Sequence, residues 1–489
     1  VEHYLDTVGV TGSIPVSPIP FDQVKTLQAI TIVIGLGRSG IGAARLLKSE
    51  GNYVTIFEKE EGEEVIALAK ELRNEGIEVK LSQSLEISNF ESYLERLSLV
   101  VISPGIPWNH PTINKLRAKG IIIKSEIALA WERLKQFKWI GITGTNGKTT
   151  VTYLLHHVLK QNNLEVEMGG NMGRPATEIA ISLKNENTIS PKWLIMELSS
   201  YQLESEANIS PYIGIWTNLT PDHLERHGSL ERYANIKKTL LNNSQIAIYN
   251  ADDKYLISIK DSLKKGVWIS SIYETKTPNP PNYWVNTEGI IMENSIELFN
   301  SKLFQLKGKH NLNNLLLVVA ASRALGIDGE SIGESISSFK GVDHRLEKIG
   351  YLNGLEVFND SKATNFDASV TGIDSIPYPC IVIAGGLAKE GDPSLWISTL
   401  KRKACAIILF GASRKELYEL ITSNGVTSKL ISVKGLEEAV DQSVQISQRI
   451  KAKSIILSPA CASFDQYKNF EYRGDHFKEL TLSYIKENR

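Results

Sequence analysis

A glycine-rich turn that ends in Lys-Thr carries the strongest chemical signal in the sequence. It reads ITGTNGKTT at residues 142–150, between an apolar strand pattern and the helical pattern VTYLLHHVLK. In such a turn, backbone N–H groups hold nucleotide phosphates, the lysine reaches the β- and γ-phosphates, and the threonine hydroxyl binds Mg²⁺. Ile142 replaces the first glycine of the general GxxxxGK[ST] pattern, and a glycine follows two residues later. The residues predicted to bind a nucleotide here are Gly144, Thr145, Asn146, Gly147, Lys148, Thr149 and Thr150.

Charged and imidazole side chains follow other strand-like segments of the same region. Glu197 ends the apolar run WLIME, and Asp222 and His223 come after the run IGIW. A carboxylate at a strand end beside a phosphate-binding loop is expected to bind a metal ion or to orient water. Lys237 and Lys238 lie on a helical pattern, so one of them faces inward if that helix packs against a sheet; a solvated basic face is the alternative.

A second glycine-rich turn, GLGRSG at residues 35–40, follows a strand pattern and opens a helix. Glu58 ends the next strand pattern, about 20 residues later, as in dinucleotide-binding folds. The glycines let the backbone approach a pyrophosphate, and the acid can accept a ribose hydroxyl. Nicotinamide, flavin and UDP-sugar ligands all fit this pattern. A Ser-Pro-Gly turn at residues 103–105 either adds backbone donors to the ligand or only ends a strand.

The elements that must position these residues alternate between strand and helix patterns along the whole chain. This alternation predicts an α/β fold with mostly parallel sheets covered by helices. The rhythm breaks near Phe137 and again at residues 341–350. We therefore predict three domains: a Rossmann-like domain at 1–137, a central P-loop domain at 138–345 and a Rossmann-like domain at 346–489.

Composition excludes several other classes of protein. Of 489 residues, 42% are hydrophobic, and 54 Lys and Arg balance 55 Asp and Glu, which is typical of a globular chain and favours neither nucleic acid nor an anionic membrane as partner. The three cysteines lack metal-type spacing and suggest a reducing compartment. The longest apolar runs are far below the ~18–20 residues of a membrane span, and no basic-then-apolar signal pattern opens the sequence. We expect a cytoplasmic protein without membrane insertion.

Taken together, the motifs resemble the Mur ligases, the ATP-dependent amide-forming enzymes of peptidoglycan precursor synthesis. The resemblance covers essentially the whole chain. It is carried by TGTNGKT at 143–149, ELSSYQLE at 197–204, TNLTPDHLERH at 217–227, Tyr233 followed by Lys237, GKHNLNN at 308–314, DHRLE at 343–347 and NDSKATN at 359–365. The run LSPACASFDQYKNFEYRG at 457–474, with the two N-terminal turns, is most similar to the branch that adds D-glutamate. The DNPR-type motif expected of the branches that add diaminopimelate or lysine is not found.

The resemblance implies ATP, two Mg²⁺ ions and a lysine carbamate formed from CO₂ on Lys237. A carbamate turns a cation into an oxygen ligand, which suits Mg²⁺. The metal ligands implied are Thr149, Glu197, His223 and Lys237; the catalytic residues are Lys148, Glu197, His223, Lys237, Arg345 and Lys362; and the further ATP-binding residues are Asn311, Asn314, Arg345 and Asp360.

The same resemblance implies two small-molecule substrates, UDP-N-acetylmuramoyl-L-alanine and D-glutamate, and a monomer. The UDP-substrate residues implied are Gly37, Arg38, Ser39, Ser103, Pro104, Gly105 and Asn171. The D-glutamate residues implied are Thr364, Lys389, Ser463 and Phe470. At Lys389 the sequence departs from the family pattern. The family often has an acid before this basic residue, whereas GGLAKEG has Ala388 there. The implied chemistry is phosphorylation of a carboxylate by ATP, then attack of the amine on the acyl phosphate, with domain closure excluding water.

Four alternatives stand beside this interpretation. Another Mur ligase would use a different amino acid. Folylpolyglutamate synthase shares the central and C-terminal domains but lacks a nucleotide-sugar domain before the P-loop. A nicotinamide-dependent oxidoreductase would explain residues 35–40 and Glu58 but would leave the P-loop without a purpose. A nucleotide-gated regulatory module would bind ATP without amide formation.

Overall fold

A computed structural model describes residues 29–184, 192–205, 208–272, 280–306, 308–388 and 391–487. It contains three sheets of five, nine and six strands. The chain divides into two compact units, of which one ends at Leu129 and the other begins at Ala130. Helix α4 (Glu126–Leu134) contains this boundary.

The first unit is built on the five-stranded sheet, whose strands all pair in parallel in the order β3-β2-β1-β4-β5. The strands are β1 (Ile30–Ile34), β2 (Tyr53–Phe57), β3 (Glu78–Lys80), β4 (Leu97–Ile102) and β5 (Ile122–Ser125). The helices are α1 (Arg38–Ser49), α2 (Glu63–Asn74) and α3 (Pro111–Ala118), with a 3₁₀ segment at Ile87–Tyr93. Ile32, Phe57 and Val100 belong to its buried core, so the strands supply the apolar runs seen in the sequence.

The turn between β1 and α1 requires two of its glycines. Gly35 has φ +99°, a left-handed value, and a Cβ there would lie 2.8 Å from Ser103 Oγ. A Cβ on Gly40 would lie 1.9 Å from the Gly35 carbonyl oxygen. Gly37 has an extended backbone with φ −80° and open space around it. The packing of helix against strand therefore accounts for Gly35 and Gly40, and leaves Gly37 without a structural reason.

The nine-stranded sheet of the second unit has the order β14-β13-β12-β11-β10-β9-β6-β8-β7. Its strands are β6 (Lys138–Thr143), β7 (Val166–Gly170), β8 (Trp193–Glu197), β9 (Ile213–Trp216), β10 (Ile246–Asn250), β11 (Val267–Ser270), β12 (Tyr283–Val285), β13 (Ile290–Glu293) and β14 (Ile296–Asn300). The helices are α5 (Lys148–Gln161), α6 (Ala176–Leu183), α7 (Ser200–Leu203), α8 (Leu224–His227), α9 (Leu230–Asn243), α10 (Lys254–Ser258), α11 (Lys309–Ala324) and α12 (Gly329–Ser337), with 3₁₀ segments at Lys260–Ser262 and Ser301–Leu303. The strands from β7 to β12 pair in parallel, whereas β12, β13 and β14 form an antiparallel edge.

Helix α11 contains a run of seven consecutive apolar residues, 315–321, and all seven are buried. A helix that is apolar all round has to be enclosed by other elements, and here α5 and the sheet enclose it. None of the helices in the described part of the chain has the length and apolar composition needed to span a bilayer.

The six-stranded sheet completes the second unit, with the order β15-β16-β20-β17-β18-β19. Its strands are β15 (Glu347–Leu352), β16 (Leu355–Asn359), β17 (Cys380–Gly385), β18 (Ala404–Phe410), β19 (Lys429–Ser432) and β20 (Ser454–Leu457). Its helices are α13 (Phe366–Asp374), α14 (Ser394–Lys403), α15 (Arg414–Ser423), α16 (Leu436–Ser447) and α17 (Phe470–Glu487). Only β15 pairs in antiparallel fashion. The predicted class, α/β with mostly parallel sheets, is confirmed; the bounds of the three predicted domains stay a prediction.

We expect Gly40→Ala to destabilise the first unit. Alanine regains about 1 kcal/mol of helix propensity over glycine, but its Cβ would have to displace a backbone oxygen, so a net loss of about 1–3 kcal/mol should result. Hydrogen exchange of peptides that cover β1 and β2 measures this loss. Gly37→Ala is the matched control and should exchange like the wild type. Equal protection in the two variants would contradict the packing role of Gly40.

Candidate active site

The phosphate-binding turn lies between β6 and α5, and its two glycines are fixed by close neighbours. Gly144 has φ +146°, and a Cβ there would lie 1.9 Å from Thr217 Oγ1. Gly147 has φ +83°, and a Cβ there would lie 2.5 Å from Asn314 Oδ1. Because side chains from the loop after β9 and from α11 press on the turn, its backbone is held in the shape that phosphate binding uses.

Thr217 and Asn218, which follow β9, form hydrogen bonds with the same turn. Thr217 Oγ1 donates to the Asn146 carbonyl at 2.6 Å, and Asn218 Nδ2 donates to it at 3.0 Å. Asn218 Oδ1 in return accepts from the Asn146 backbone N–H at 2.8 Å. The quoted motif at 217–227 thus begins with residues that shape the nucleotide loop.

Two lysines converge on one carbonyl of this turn. Lys148 Nζ donates to the Gly144 oxygen at 2.9 Å and to the Thr145 oxygen at 2.8 Å. Lys237 Nζ, on α9, donates to the same Gly144 oxygen at 2.9 Å. Burial lowers the pKa of Lys148, and burial together with the nearby Lys148 lowers the pKa of Lys237 well below its ordinary value.

The structure also decides which of the two adjacent lysines faces inward. Lys237 is 1% exposed, and its ammonium lies 4.4 Å from the centre of the Tyr233 ring. Lys238 instead donates to Ser262 Oγ at 3.1 Å, at an exposed position. The inward lysine required by the helical pattern is therefore Lys237.

Glu197, at the end of β8, is the carboxylate that meets the helix start. Its Oε2 accepts from Thr149 Oγ1 at 2.8 Å, and its Oε1 accepts from Asn171 Nδ2 at 3.0 Å. Arg345 donates to Thr149 Oγ1 at 2.8 Å from the junction that precedes β15. Burial lowers the pKa of the Arg345 guanidinium. Glu197 and Arg345 thus both bond to the hydroxyl of Thr149, and all three were predicted to be catalytic or metal-binding residues.

His223 lies at the start of α8 in a left-handed conformation, φ 55°, and is partly exposed. Its Nδ1 lies 3.0 Å from the Tyr201 hydroxyl. Behind it, His227 is 1% exposed and stacks on Tyr233 with ring centres 5.4 Å apart. Since Tyr233 contacts Lys237, this aromatic group connects α8 to the buried lysine.

A cleft of about 330 Å³ opens beside the P-loop. That volume lies at the lower end of small-molecule sites. Its lining combines Asn146 and Gly147 with Asn311 and Asn314 of α11, and with Asp360 from the loop after β16. Five residues predicted to bind ATP therefore share one cleft.

Asp360 is almost fully buried in that lining. Its Oδ1 accepts from the Leu346 N–H at 3.2 Å, and its Oδ2 lies 3.3 Å from Ser458 Oγ. A Cβ at Gly372 would lie 2.2 Å from Asp360 Oδ2, so glycine is required opposite the carboxyl. Burial raises the pKa of Asp360 to about 7.

Lys362 follows two residues later and contacts other loops. Its ammonium lies 3.7 Å from the centre of the Phe470 ring and 3.4 Å from Met172 Sδ. Burial, with the nearby Arg345, lowers the pKa of Lys362 to about 7. Thr364 lies at the end of the same turn, where its N–H donates to the Lys362 carbonyl at 2.8 Å. Lys362 and Phe470 are thus in direct contact.

Ser463 is 1% exposed, and its hydroxyl has no hydrogen-bond partner among the described residues. A buried hydroxyl without a partner costs free energy, so an external ligand would be a favourable partner. Lys389 lies outside the described residues, and its predicted contact with D-glutamate stays a prediction.

In the first unit, Glu58 binds the glycine turn itself. Its Oε2 accepts from the Leu36 N–H at 2.7 Å, and its Oε1 accepts from the Glu60 N–H at 3.0 Å. The hydroxyl of Ser103 is buried beside Gly35 and Gly40, without a partner among the described residues. Glu58 therefore already has a structural role in holding the turn.

The donors around Thr149 fit Mg²⁺ rather than a softer metal. Among the described residues, no group of three or more His, Cys, Asp or Glu side chains could hold a metal ion unaided. Mg²⁺ keeps several waters and commonly takes one or two carboxylates plus substrate phosphates. A threonine hydroxyl with the buried carboxylate of Glu197 supplies such a partial set.

Sequence reasoning did not find three residues that the structure places around the site. Tyr201 and His227 surround His223 and Tyr233, and Arg473 is a buried guanidinium behind the loop of Ser463. All three lie inside longer motifs, at 197–204, 217–227 and 457–474, from which no role was assigned to them individually. A charged residue in the first turn of a helix does not by itself signal burial, so Arg473 could not be singled out.

Two family models match the chain, both of them from the Mur ligases. The Mur ligase middle domain matches residues 142–322. The model described as Mur ligase MurD-like, N-terminal domain, matches residues 29–125. Both matches lie on the sheets that carry the glycine-rich turns.

Relatives named UDP-N-acetylmuramoylalanine--D-glutamate ligase match nearly the whole chain. One from Prochlorococcus marinus is 52% identical over 92% of this chain and 96% of its own length. Another from Parasynechococcus marenigrum (strain WH8102) is 49% identical over 93% and 98%. The chain therefore belongs to the Mur ligase family and, within it, to the group of the UDP-N-acetylmuramoylalanine--D-glutamate ligases. This confirms the family predicted from the sequence.

Solved structures support the fold. A crystal structure of UDP-N-acetylmuramate-alanine ligase MurC from Thermotoga maritima has a TM-score of 0.58 at 21% identity and covers 93% of this chain and 99% of that chain. A pseudomurein peptide ligase type C from Methanothermus fervidus has a TM-score of 0.55 at 20% identity, with 93% and 100% covered.

The raised pKa of Asp360 predicts a pH dependence of stability. The unfolded chain loses this proton near pH 3.8, whereas the fold holds it up to about pH 7. The stability that this proton affinity contributes is present below pH 3.8 and is lost as the pH rises to about 7. Calorimetry at pH 5 and pH 8 should therefore show the melting temperature of Asp360→Asn rising relative to wild type at the higher pH.

Glu416→Gln, at an exposed position of α15 in the same unit, is the control for the loss of a carboxylate. Its difference from the wild type should be the same at both pH values. A constant difference for Asp360→Asn would contradict the burial of a protonated carboxyl at this site.

Proposed function

We propose that this chain joins D-glutamate to UDP-N-acetylmuramoyl-L-alanine in an ATP-dependent reaction of peptidoglycan precursor synthesis, with release of ADP and phosphate. The observation that carries the proposal is the convergence of Lys148, Lys237 and Arg345 on the turn at Gly144 and Thr149. It is supported by relatives of that name, which match more than nine-tenths of the chain. Amide formation needs such an arrangement because a carboxylate is a poor acyl donor until its oxygen becomes part of a phosphate.

In the first step the substrate carboxylate attacks the γ-phosphoryl group of ATP. We assign the nucleotide to the cleft lined by Asn311, Asn314 and Asp360, with its phosphates at the turn of residues 144–150. Two anions must approach each other, so the main requirements are positioning and neutralisation of charge. Lys148, the first residue of α5, and Arg345, which donates to Thr149 from the junction before β15, supply positive charge at the phosphoryl group.

Mg²⁺ would be held by the Thr149 hydroxyl and Glu197, with His223 and a carbamate on Lys237 as the ligands of a second ion. When bound, it neutralises phosphate charge without a proton transfer. Carbamate formation needs a neutral amine, and the lowered pKa of the buried Lys237 favours that form. His223 and Tyr233, with His227 behind them, would orient the Lys237 side chain.

In the second step the amine of D-glutamate attacks the acyl phosphate and displaces phosphate. We assign the amino acid to Thr364, Ser463 and Phe470, with Lys362 at the acyl-phosphate region, and keep Lys389 as a further contact. The Ser463 hydroxyl has no hydrogen-bond partner among the described residues, and the Lys362 ammonium lies against the Phe470 ring. All four described residues belong to loops at the carboxyl ends of strands or to the helix start that follows, where ligands collect in α/β folds.

The nucleotide-sugar substrate is assigned to the glycine turn of the first unit. Its diphosphate would contact Gly37, Arg38 and Ser39, with Ser103, Pro104 and Gly105 beside them. The open space at Gly37 and the Ser103 hydroxyl, unpartnered among the described residues, support this assignment. Asn171, which donates to Glu197, is kept as a further predicted contact of the UDP-substrate. We also propose a cytoplasmic protein, in keeping with three cysteines that lack metal-type spacing, and a monomer, as the family resemblance implies.

Phosphate release from ATP in the presence of UDP-N-acetylmuramoyl-L-alanine tests the proposal directly. D-glutamate, L-glutamate, L-lysine and meso-diaminopimelate are compared as second substrates, and we expect release with D-glutamate alone. Release with one of the others would keep the ligase mechanism but contradict the assigned amino acid. Absence of release with all four would contradict the proposed reaction.

The role of Lys237 is tested by a matched pair of variants. Lys237→Ala should lower kcat by a factor on the order of 10²–10³, because it removes a charge-bearing group at the reacting phosphoryl. Added formate or acetate should restore part of the rate by replacing the carbamate oxygens. Lys238→Ala should keep most of the rate, because its ammonium contacts Ser262 at the surface. If loss and rescue occurred in Lys238→Ala instead, the wrong lysine would have been assigned.

A further inference from the structure

Arg473, in the first turn of α17, is fully buried, with 0% of its surface exposed. Its five N–H groups make six hydrogen-bond contacts, so at least one N–H is shared between two acceptors. Nε donates to Ser361 Oγ at 3.0 Å, and the two terminal nitrogens donate to the carbonyls of Ser361, Gly385, Cys461 and Ala462 at 2.8 to 3.4 Å. One side chain therefore satisfies the backbones of three separate loops.

Two of these loops carry residues of the proposed amino-acid site. Ser361 directly precedes Lys362, and Ala462 directly precedes Ser463. Ser361 Oγ also donates to the Phe470 carbonyl at 2.8 Å, which fixes the first turn of α17 against the same loop. The backbone around Lys362, Ser463 and Phe470 thus depends on one guanidinium.

The third loop leaves room for this guanidinium only because of a glycine. A Cβ on Gly386 would lie 3.0 Å from a terminal nitrogen of Arg473 and 2.2 Å from the Ala462 oxygen. The neighbouring Leu387 and Ala462 exchange two backbone hydrogen bonds of 2.9 Å. The three loops are therefore joined to each other as well as to Arg473.

The positive charge of Arg473 has no ion-pair partner among the described residues. Carbonyl oxygens compensate it in part, and burial lowers its pKa to about 10, so it stays protonated at neutral pH. An unpaired buried cation is costly, and an anion bound nearby reduces that cost. An amino acid with two carboxylates, such as glutamate, meets this condition better than a cationic one.

Resting on the proposed function, we propose that Arg473 is the positioning residue of the amino-acid subsite. It holds the loops of Lys362, Ser463 and Phe470 in one arrangement and supplies positive charge behind them. It does not touch the substrate. Loss of Arg473 should therefore weaken the binding of D-glutamate rather than that of ATP or the nucleotide sugar.

The test is Arg473→Lys in the full-length chain, assayed by phosphate release with each substrate varied in turn. An ammonium has three donors and cannot reproduce the planar fork. We expect the KM for D-glutamate to rise by about tenfold or more, with the KM for ATP and for UDP-N-acetylmuramoyl-L-alanine within about twofold. Arg402→Lys, at an exposed position of α14, should match the wild type.

Ser361→Ala keeps the guanidinium and removes only its Nε partner and the bond to Phe470. We expect a rise of about threefold in the KM for D-glutamate. This variant decides the question if Arg473→Lys does not fold. A KM for D-glutamate equal to that of the wild type, or an equal rise for all three substrates, would overturn the inference while the proposed function stood. Lack of D-glutamate turnover in the wild type would overturn both.

Discussion

The structure concentrates buried positive charge where the nine-stranded and six-stranded sheets of the second unit meet. The shape and the electrostatics of the site depend on that constraint. Lys148, Lys237, Arg345 and Lys362 all have lowered pKa values, and burial is the main cause in each case. Removing an ion from water costs several kcal/mol even after relaxation. Glu197 is the buried carboxylate whose negative charge favours the charged form of three of them. Most of the cost is left to be offset by anions that bind from outside.

The scaffold makes this concentration possible by using backbone atoms as partners. The Gly144 carbonyl accepts from two ammonium groups, and the carbonyls of residues 461 and 462 accept from Arg473. Carbonyl dipoles stabilise a cation without neutralising it, so a net positive field remains for a ligand. Glycines at 144 and 386 allow the close approaches that this requires. The same residues therefore determine the shape of the loops and their electrostatics.

Much of this arrangement could be predicted from the sequence. The P-loop, the strand-end position of Glu197 and an inward lysine at 237 or 238 follow from local patterns, because strand, turn and helix periodicities are properties of neighbouring residues. The contacts between distant loops do not follow from such patterns. That Arg345 reaches Thr149, or that Arg473 joins a loop more than 100 residues earlier to α17, depends on the packing of whole sheets and helices. Glu58 shows the converse, since the pattern indicated a ribose ligand and the structure shows a carboxylate already bound to the Leu36 N–H.

A site built of buried cations also explains how binding and chemistry can be coupled here. Burial, with the nearby Arg345, lowers the pKa of Lys362 to about 7, so its charge depends on what lies nearby. A triphosphate or an acyl phosphate brought close to it favours the protonated form, because an opposite charge raises the pKa of an ammonium. The positive charge is then largest when the anionic intermediate is present and smaller when the site is empty. Lys148 and Arg345, in contrast, are already positioned before the reaction begins, and the folded protein bears the cost of burying them as a loss of stability.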